Sequence, residues 1–289
     1  MRRLSSLLAA ALLLSGLATG AEAKPPMWVV RDADSTLILF GSVHALPPGL
    51  DWTPPELTEA LARADDLWFE ILTDEASVLA SAQAASARGL LPRDQSLSAM
   101  LDAPTRTRLA RVAASLGLPM AALDRYRPWM AEVVLAMAFA QKAGAVPAEG
   151  VETKVAAATP DRVARRALET PEQQVALLAD APPSAQIASL KETLREIETE
   201  PKGFGRMVEA WLSGDVRALY RRSVVPMKRK TPGLYRRLVA DRNVSWAGTI
   251  EQRMKGSGRT VMVMGAGHFV GPEGVPALLR KRGLKVEGP

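Results

Sequence analysis

Apolar and polar positions follow two different rhythms along the chain, and the rhythms separate its ends from its middle. Near the start, Pro26-Met-Trp-Val-Val-Arg31 and Thr36-Leu-Ile-Leu-Phe40 are short β-rich runs. Asp32-Ala-Asp-Ser35 between them suits a hairpin turn. Asp66-Leu-Trp-Phe-Glu-Ile-Leu72 reads as a third strand with one charge inside it, Glu70. Val163 to Leu168, Arg259 to Met264 and Leu284 to Glu287 read as further strands. Thr53-Pro-Pro-Glu56 opens a helix with a carboxylate in its first turn, running to about Ala64. From Asp74 to Lys142 the pattern is helical and rich in alanine and leucine, with breaks at Gly89, Pro92, Pro104, Pro119 and Pro128. More helices are predicted over 171–180, 184–199, 204–213, 215–223, 233–254 and 272–282, punctuated by Gly214, Pro226 and Pro232. Strands thus gather at the two ends and helices fill the middle. That predicts an α/β fold of one domain, its central sheet built from both ends of the chain and covered by a large helical middle region.

Two strand-length runs read almost alike: Leu37-Ile-Leu-Phe-Gly-Ser-Val-His44 and Val261-Met-Val-Met-Gly-Ala-Gly-His268. Each stops at a glycine, with a histidine three residues later, and these are the only two histidines in the sequence. Glycine accepts backbone conformations that larger residues resist and lets a ligand come close, so Gly41, Gly265 and Gly267 are candidate binding positions. Histidines placed after such strands stand at the carboxyl edge of a sheet, where open α/β sheets hold their ligands. Glu70 is the third candidate, because a carboxylate within Leu-Trp-Phe-Glu-Ile-Leu is costly to bury unless it is paired, hydrogen-bonded or on a metal. Its strand follows His44 through a single helix, as in a crossover unit that would bring the two residues together.

Two histidines and a carboxylate suffice for a catalytic metal site on His44, Glu70 and His268, holding a divalent ion such as Zn, Mn or Co. The same residues also suit metal-free acid–base work, one histidine serving as base and the glutamate as its orienter. Spacing does not separate these. Ordinary imidazoles would release a metal together as pH falls through about 6.5, while Glu70 stays ionised. Arg242, followed by Asn243 and Trp246, lies mid-helix where a cation could steady an anionic intermediate. Gly265-Ala-Gly-His-Phe-Val-Gly271 mimics a dinucleotide fingerprint, but its loop carries a histidine and no further βα unit follows.

Composition narrows the classes. Arg2 and Arg3, the apolar Leu4 to Leu17 and the small residues around Ala23 read as a signal peptide over 1–23, leaving a domain of 24–289 and an exported, periplasmic or secreted product. No later stretch is apolar enough to span a membrane. With no cysteine there are no disulfides and no thiolate ligands. The net charge of +6 is mild, and the basic clusters Arg162-Val-Ala-Arg-Arg166 and Met227-Lys-Arg-Lys230 read as solvated faces without the interleaved aromatics of a nucleic-acid groove.

The ordered set Phe40-Gly-Ser-Val-His44, Glu70, Pro128-Trp129, Leu168-Glu-Thr170 with Gln173-Gln174, Trp211 with Gly214-Asp215, Arg242-Asn-Val-Ser-Trp246 and Gly265-Ala-Gly-His268 with Gly271 resembles the TraB/GumN family. The resemblance extends to the TIKI metalloproteases and to the erythromycin-esterase/ChaN-like superfamily. It implies a metal-dependent hydrolase, peptidase-like, acting on a peptide or other small substrate. In it His44, Glu70 and His268 are catalytic or ligating and Arg242 supports them. It also implies, as alternatives, a non-catalytic binding or regulatory protein or a haem or other cofactor site. Gly150-Val-Glu-Thr-Lys-Val155 departs from the family's Gly-Val-Asp-aromatic pattern, so the resemblance carries no role to an acid there.

Overall fold

A computed structural model describes residues 24–289, and the signal segment proposed for 1–23 lies outside the described residues. Six strands form one sheet: β1 Met27–Arg31, β2 Ser35–Ser42, β3 Asp66–Phe69, β4 Ala164–Ala167, β5 Gly258–Gly265 and β6 Val286–Glu287, in the order β4-β3-β5-β2-β1-β6. β2, β5, β3 and β4 run parallel, while β1 is antiparallel to both β2 and β6. The expected hairpin joins β1 to β2, its turn closed by the Asp32 carboxylate accepting from the amides of Asp34 and Ser35.

The inner strands β2, β5 and β3 lack a polar face because both faces of the sheet are covered there. Ile38, Phe40, Leu67, Phe69, Val261 and Val263 point to one side, where they meet the helices Pro55–Arg63, Val151–Ala158 and Gly203–Leu212. Leu37, Leu39, Met262 and Met264 point to the other, against the helices Asp241–Arg253 and Val275–Lys281. The period-two alternation of β2 therefore feeds two cores at once. The helical middle does more than cover the sheet. Leu97, Leu109, Leu135, Leu190 and Leu194 build a third core of their own.

Three expectations need correction. Gly41 and Gly265 do not lie in the left-handed region; both are strand residues, and Gly265 has φ −50°. What demands glycine there is proximity: a methyl on Gly41 would sit 3.3 Å from Cα and Cβ of Ala266. Next, β3 stops at Phe69, so Glu70 falls just past the strand end rather than inside it. Finally, Pro226 does not break the chain's helical course. A π-helical turn over Tyr220–Val224 precedes it and leads into the helix Val225–Lys230, where the ring occupies the first turn and removes no needed donor.

Candidate active site

The parallel strands β2, β5 and β3 end side by side, with Ser42 opposite Gly265 and Phe69 opposite Val263. One to three residues beyond those ends lie the three candidates. They converge on a single point: a methyl on Gly265 would stand 3.3 Å from Glu70 Oε1, 3.6 Å from His44 Nε2 and 3.7 Å from His268 Cδ2. Sheet register thus brings together side chains from both ends of the chain.

His44 is the solvent-facing member, its side chain 72% exposed. Its Nδ1 lies 2.7 Å from Oε1 of Glu152, which also accepts from Ser42 Oγ at 2.5 Å. Glu152 sits in the first turn of the helix Val151–Ala158, directly after Gly150. A Cβ at 150 would come within 2.1 Å of the His44 carbonyl oxygen, so glycine there is what lets this helix reach the histidine. The Glu152 charge is the main reason the His44 pKa rises to about 9, with help from the hydrogen bond and from Glu70. Burial would raise the Glu152 carboxyl, but His44 and the two hydrogen bonds hold it below its ordinary range.

His268 is the buried member. Asn243 Oδ1 lies 2.7 Å from its Nδ1, while Asn243 Nδ2 donates to the backbone oxygen of Glu273 at 2.8 Å. An amide oxygen only accepts, so Nδ1 carries the proton and Nε2 the lone pair. Burial pushes the His268 pKa down to about 4 against the pull of Glu70, so the ring is neutral. The two imidazoles therefore do not titrate together.

Glu70 is almost fully enclosed, yet every oxygen has partners. Oε1 accepts from the Gly265 amide at 2.8 Å, and Oε2 accepts from Arg242 at 2.6 Å and Gln174 at 3.3 Å. Burial favours protonation, but His268, Arg242, His44 and the Gly265 amide outweigh it and hold the pKa down to about 2. Arg242 commits all five of its donors. Nε and Nη2 clamp Glu169 at 2.8 and 2.9 Å, Nη2 also serves Glu70, and Nη1 donates to the Leu238 carbonyl at 3.0 Å and His268 Nε2 at 3.1 Å. Its guanidinium also lies 4.4 Å over the Trp246 ring. A side chain so engaged has no free N–H for an anionic intermediate, so it holds the site in shape rather than meeting substrate directly.

A divalent ion on His44, Glu70 and His268 was the sequence expectation. The donor types suit Zn, Mn or Co, and Glu70 Oε1 lies 3.8 Å from His268 Nε2, but the Arg242 guanidinium competes for the same groups. His268 Nε2 and Glu70 Oε2 both face the Arg242 guanidinium, a cation already placed between them. Among the described residues, no group of three or more histidine, aspartate or glutamate side chains is disposed to hold a metal.

The model of the TraB/PrgY/gumN family matches residues 26–288. The chain belongs to the TraB/PrgY/gumN family. As a TraB/PrgY/gumN member it is similar to an uncharacterized protein of Treponema pallidum (strain Nichols), 25% identical over 270 residues that make up 89% of this chain and 80% of that protein. No solved structure matches the chain significantly.

Within this TraB/PrgY/gumN domain, four site residues had no role from sequence: Glu152, Glu169, Gln174 and Asn243. Glu169, Gln174 and Asn243 belong to the motif stretches noted above, so their positions were flagged without their function. The local pattern around Glu152 departs from the family's, and Gly150, two residues before it, is the available signal.

Proposed function

We propose that the site is hydrolytic and that His44 is its proton carrier, acting on a peptide or other small acyl substrate in an exported setting. One observation carries this reading: His44 is the exposed histidine, its Nδ1 is fixed by Glu152, and its Nε2 opens onto the space bounded by Gly265 and Glu70. An imidazole held in that way takes a proton from water at Nε2 while the water oxygen attacks the acyl carbon, then passes the proton to the leaving group. The glutamate that orients the base is Glu152, not Glu70. Glu70, His268 and Arg242 form the enclosed charged floor beneath it.

The test is hydrolysis of a peptide and ester library across pH, with and without EDTA. Activity is expected to survive EDTA and to rise with pH towards about 9, because only the deprotonated His44 accepts a proton. His44→Ala should lower kcat/KM by about 10²–10⁴-fold. Glu152→Gln should move the midpoint down towards about 6.5, since it removes the largest cause of the raised pKa. Unaltered turnover in His44→Ala would end this reading. A metal-dependent version has one observation in its favour: both Nδ1 atoms are held by oxygens, as in metal-ligating histidines. It requires Arg242 to leave His268 Nε2, and loss of activity in EDTA with recovery on adding Zn, Mn or Co would select it.

A further inference from the structure

The basic run set aside as a solvated face has a particular place. Between Val216 and Ala240 the chain carries eight lysines and arginines and not one aspartate or glutamate. This segment packs directly on the second Gly-x-x-His loop. A Cβ on Gly267 would lie 3.9 Å from Ser223 Oγ and from Val224, and Gly271, at φ +82°, lies so close over Tyr220 that a Cβ would come within 2.2 Å of its ring. Tyr235 and Lys228 bond the Glu273 side chain, whose backbone holds the Asn243 that orients His268. Arg237 donates to the carbonyls of Leu177 and Ala176, on the helix whose Gln174 reaches Glu70.

Two of the eight cations meet carboxylates, Lys228 at Glu273 and Arg237 at Asp180. Arg217, Arg221, Arg222, Arg229 and Arg236 are exposed and have no ion-pair partner among the described residues. Uncompensated positive charge beside a catalytic opening raises the local concentration of anions and speeds their arrival. The kind of anion follows from what else the surface offers. Tyr220 lies under Gly271 and Tyr235 is buried, so no exposed ring stands among the cations for a base to stack on. None of the exposed large apolar side chains falls between 216 and 240, so nothing there would anchor in a bilayer.

We infer that the segment 217–237 is the substrate-guiding wall of the site and that the substrate it selects is an acidic peptide. The inference rests on the hydrolytic reading for its setting, but its test reads binding alone. Fluorescein-labelled hexaglutamate is titrated with the full chain, and with His44→Ala, by fluorescence anisotropy at about 20 and about 300 mM NaCl. Hexalysine and a Gly-Ser hexamer are the comparison peptides. Hexaglutamate should bind both proteins, at least tenfold more tightly than either comparison peptide, and the added salt should weaken it at least tenfold. Arg221→Ser with Arg222→Ser should also cost at least tenfold. Arg93→Ser with Lys285→Ser, which removes the same charge from exposed positions elsewhere, should not. Equal loss in the two double variants would reduce the effect to net charge and overturn the inference. So would equal binding of all three peptides, or binding to phosphatidylglycerol vesicles with none to hexaglutamate. Hexaglutamate binding without any peptide hydrolysis would uphold the wall and count against the hydrolytic reading only.

Discussion

Gly265 is the position where a single atom separates an open site from a filled one. Its φ of −50° is open to alanine, and its amide can still donate to Glu70, so Gly265→Ala carries no backbone strain. The added methyl nevertheless enters the point shared by Glu70, His44 and His268. At 3.3 Å from Glu70 Oε1 it needs a shift of only a few tenths of an ångström. Gly265→Ala should therefore lower activity, by up to the about 10²-fold that a 1 Å misplacement of reacting groups costs. Its thermal midpoint should stay within about 4 °C of the parent's, the shift that about 1 kcal/mol produces. A large drop in melting temperature, or full activity, would show that the space is not the reaction site. Sequence showed the glycine and the histidine after it. It did not show why glycine is required, because the reason lies in side chains that follow three separate strands.

At the scale of the element, the helix Asp241–Arg253 presents Arg242, Asn243 and Trp246 on one face, as spacings of three and four residues dictate. Trp246 packs at 4.5 Å against His268 and beneath Arg242, so one helix sets the arginine, the amide and the aromatic wall together. Arg242 neutralises two enclosed carboxylates, Glu70 and Glu169. Arg242→Leu would leave both without their partner, which costs about 3–5 kcal/mol in comparable buried pairs. Urea unfolding should show that loss directly. Arg242→Lys should recover little of it, because an ammonium cannot reproduce the bidentate clamp on Glu169. A change below about 1 kcal/mol in Arg242→Leu would mean that the carboxylates are solvated and the network is not a structural pin. The helix itself was legible from its periodicity; its charge partners, on two other elements, were not.

Across the whole molecule, the site makes stability depend on pH, and the buried groups fix the direction. His268 has a folded pKa near 4, below its unfolded value of about 6.5, so the unfolded chain binds the proton first. Its contribution is complete above about 6.5 and is lost as pH falls towards 4. Glu70, held near 2, adds loss in the same direction below its unfolded value of 4.5. His44 acts oppositely, its contribution present below about 6.5 and lost as pH rises through about 9. Thermal melts should thus fall steadily on acidification from about pH 6.5 to about pH 4, and His268→Gln should flatten that limb. A melting temperature constant over that window in the parent chain would contradict a buried neutral His268.

The sequence by itself determined the strands, most of the helices, the α/β class and the two Gly-x-x-His stretches, because strand and helix periods are local and the repeated glycine and histidine stand in the sequence itself. It also marked Glu70, since an isolated charge in an apolar run demands a partner. Only the tertiary structure decided who the partners are. His44 meets Glu152 across 108 residues and Arg242 meets Glu70 across 172, distances over which no periodicity carries information. Burial then did what composition could not. Two histidines alike in sequence became one exposed and charged beside Glu152, and one enclosed and neutral against Asn243. Their chemistry differs because the dielectric and the nearest charge around each ring differ, and those are properties of the packed chain.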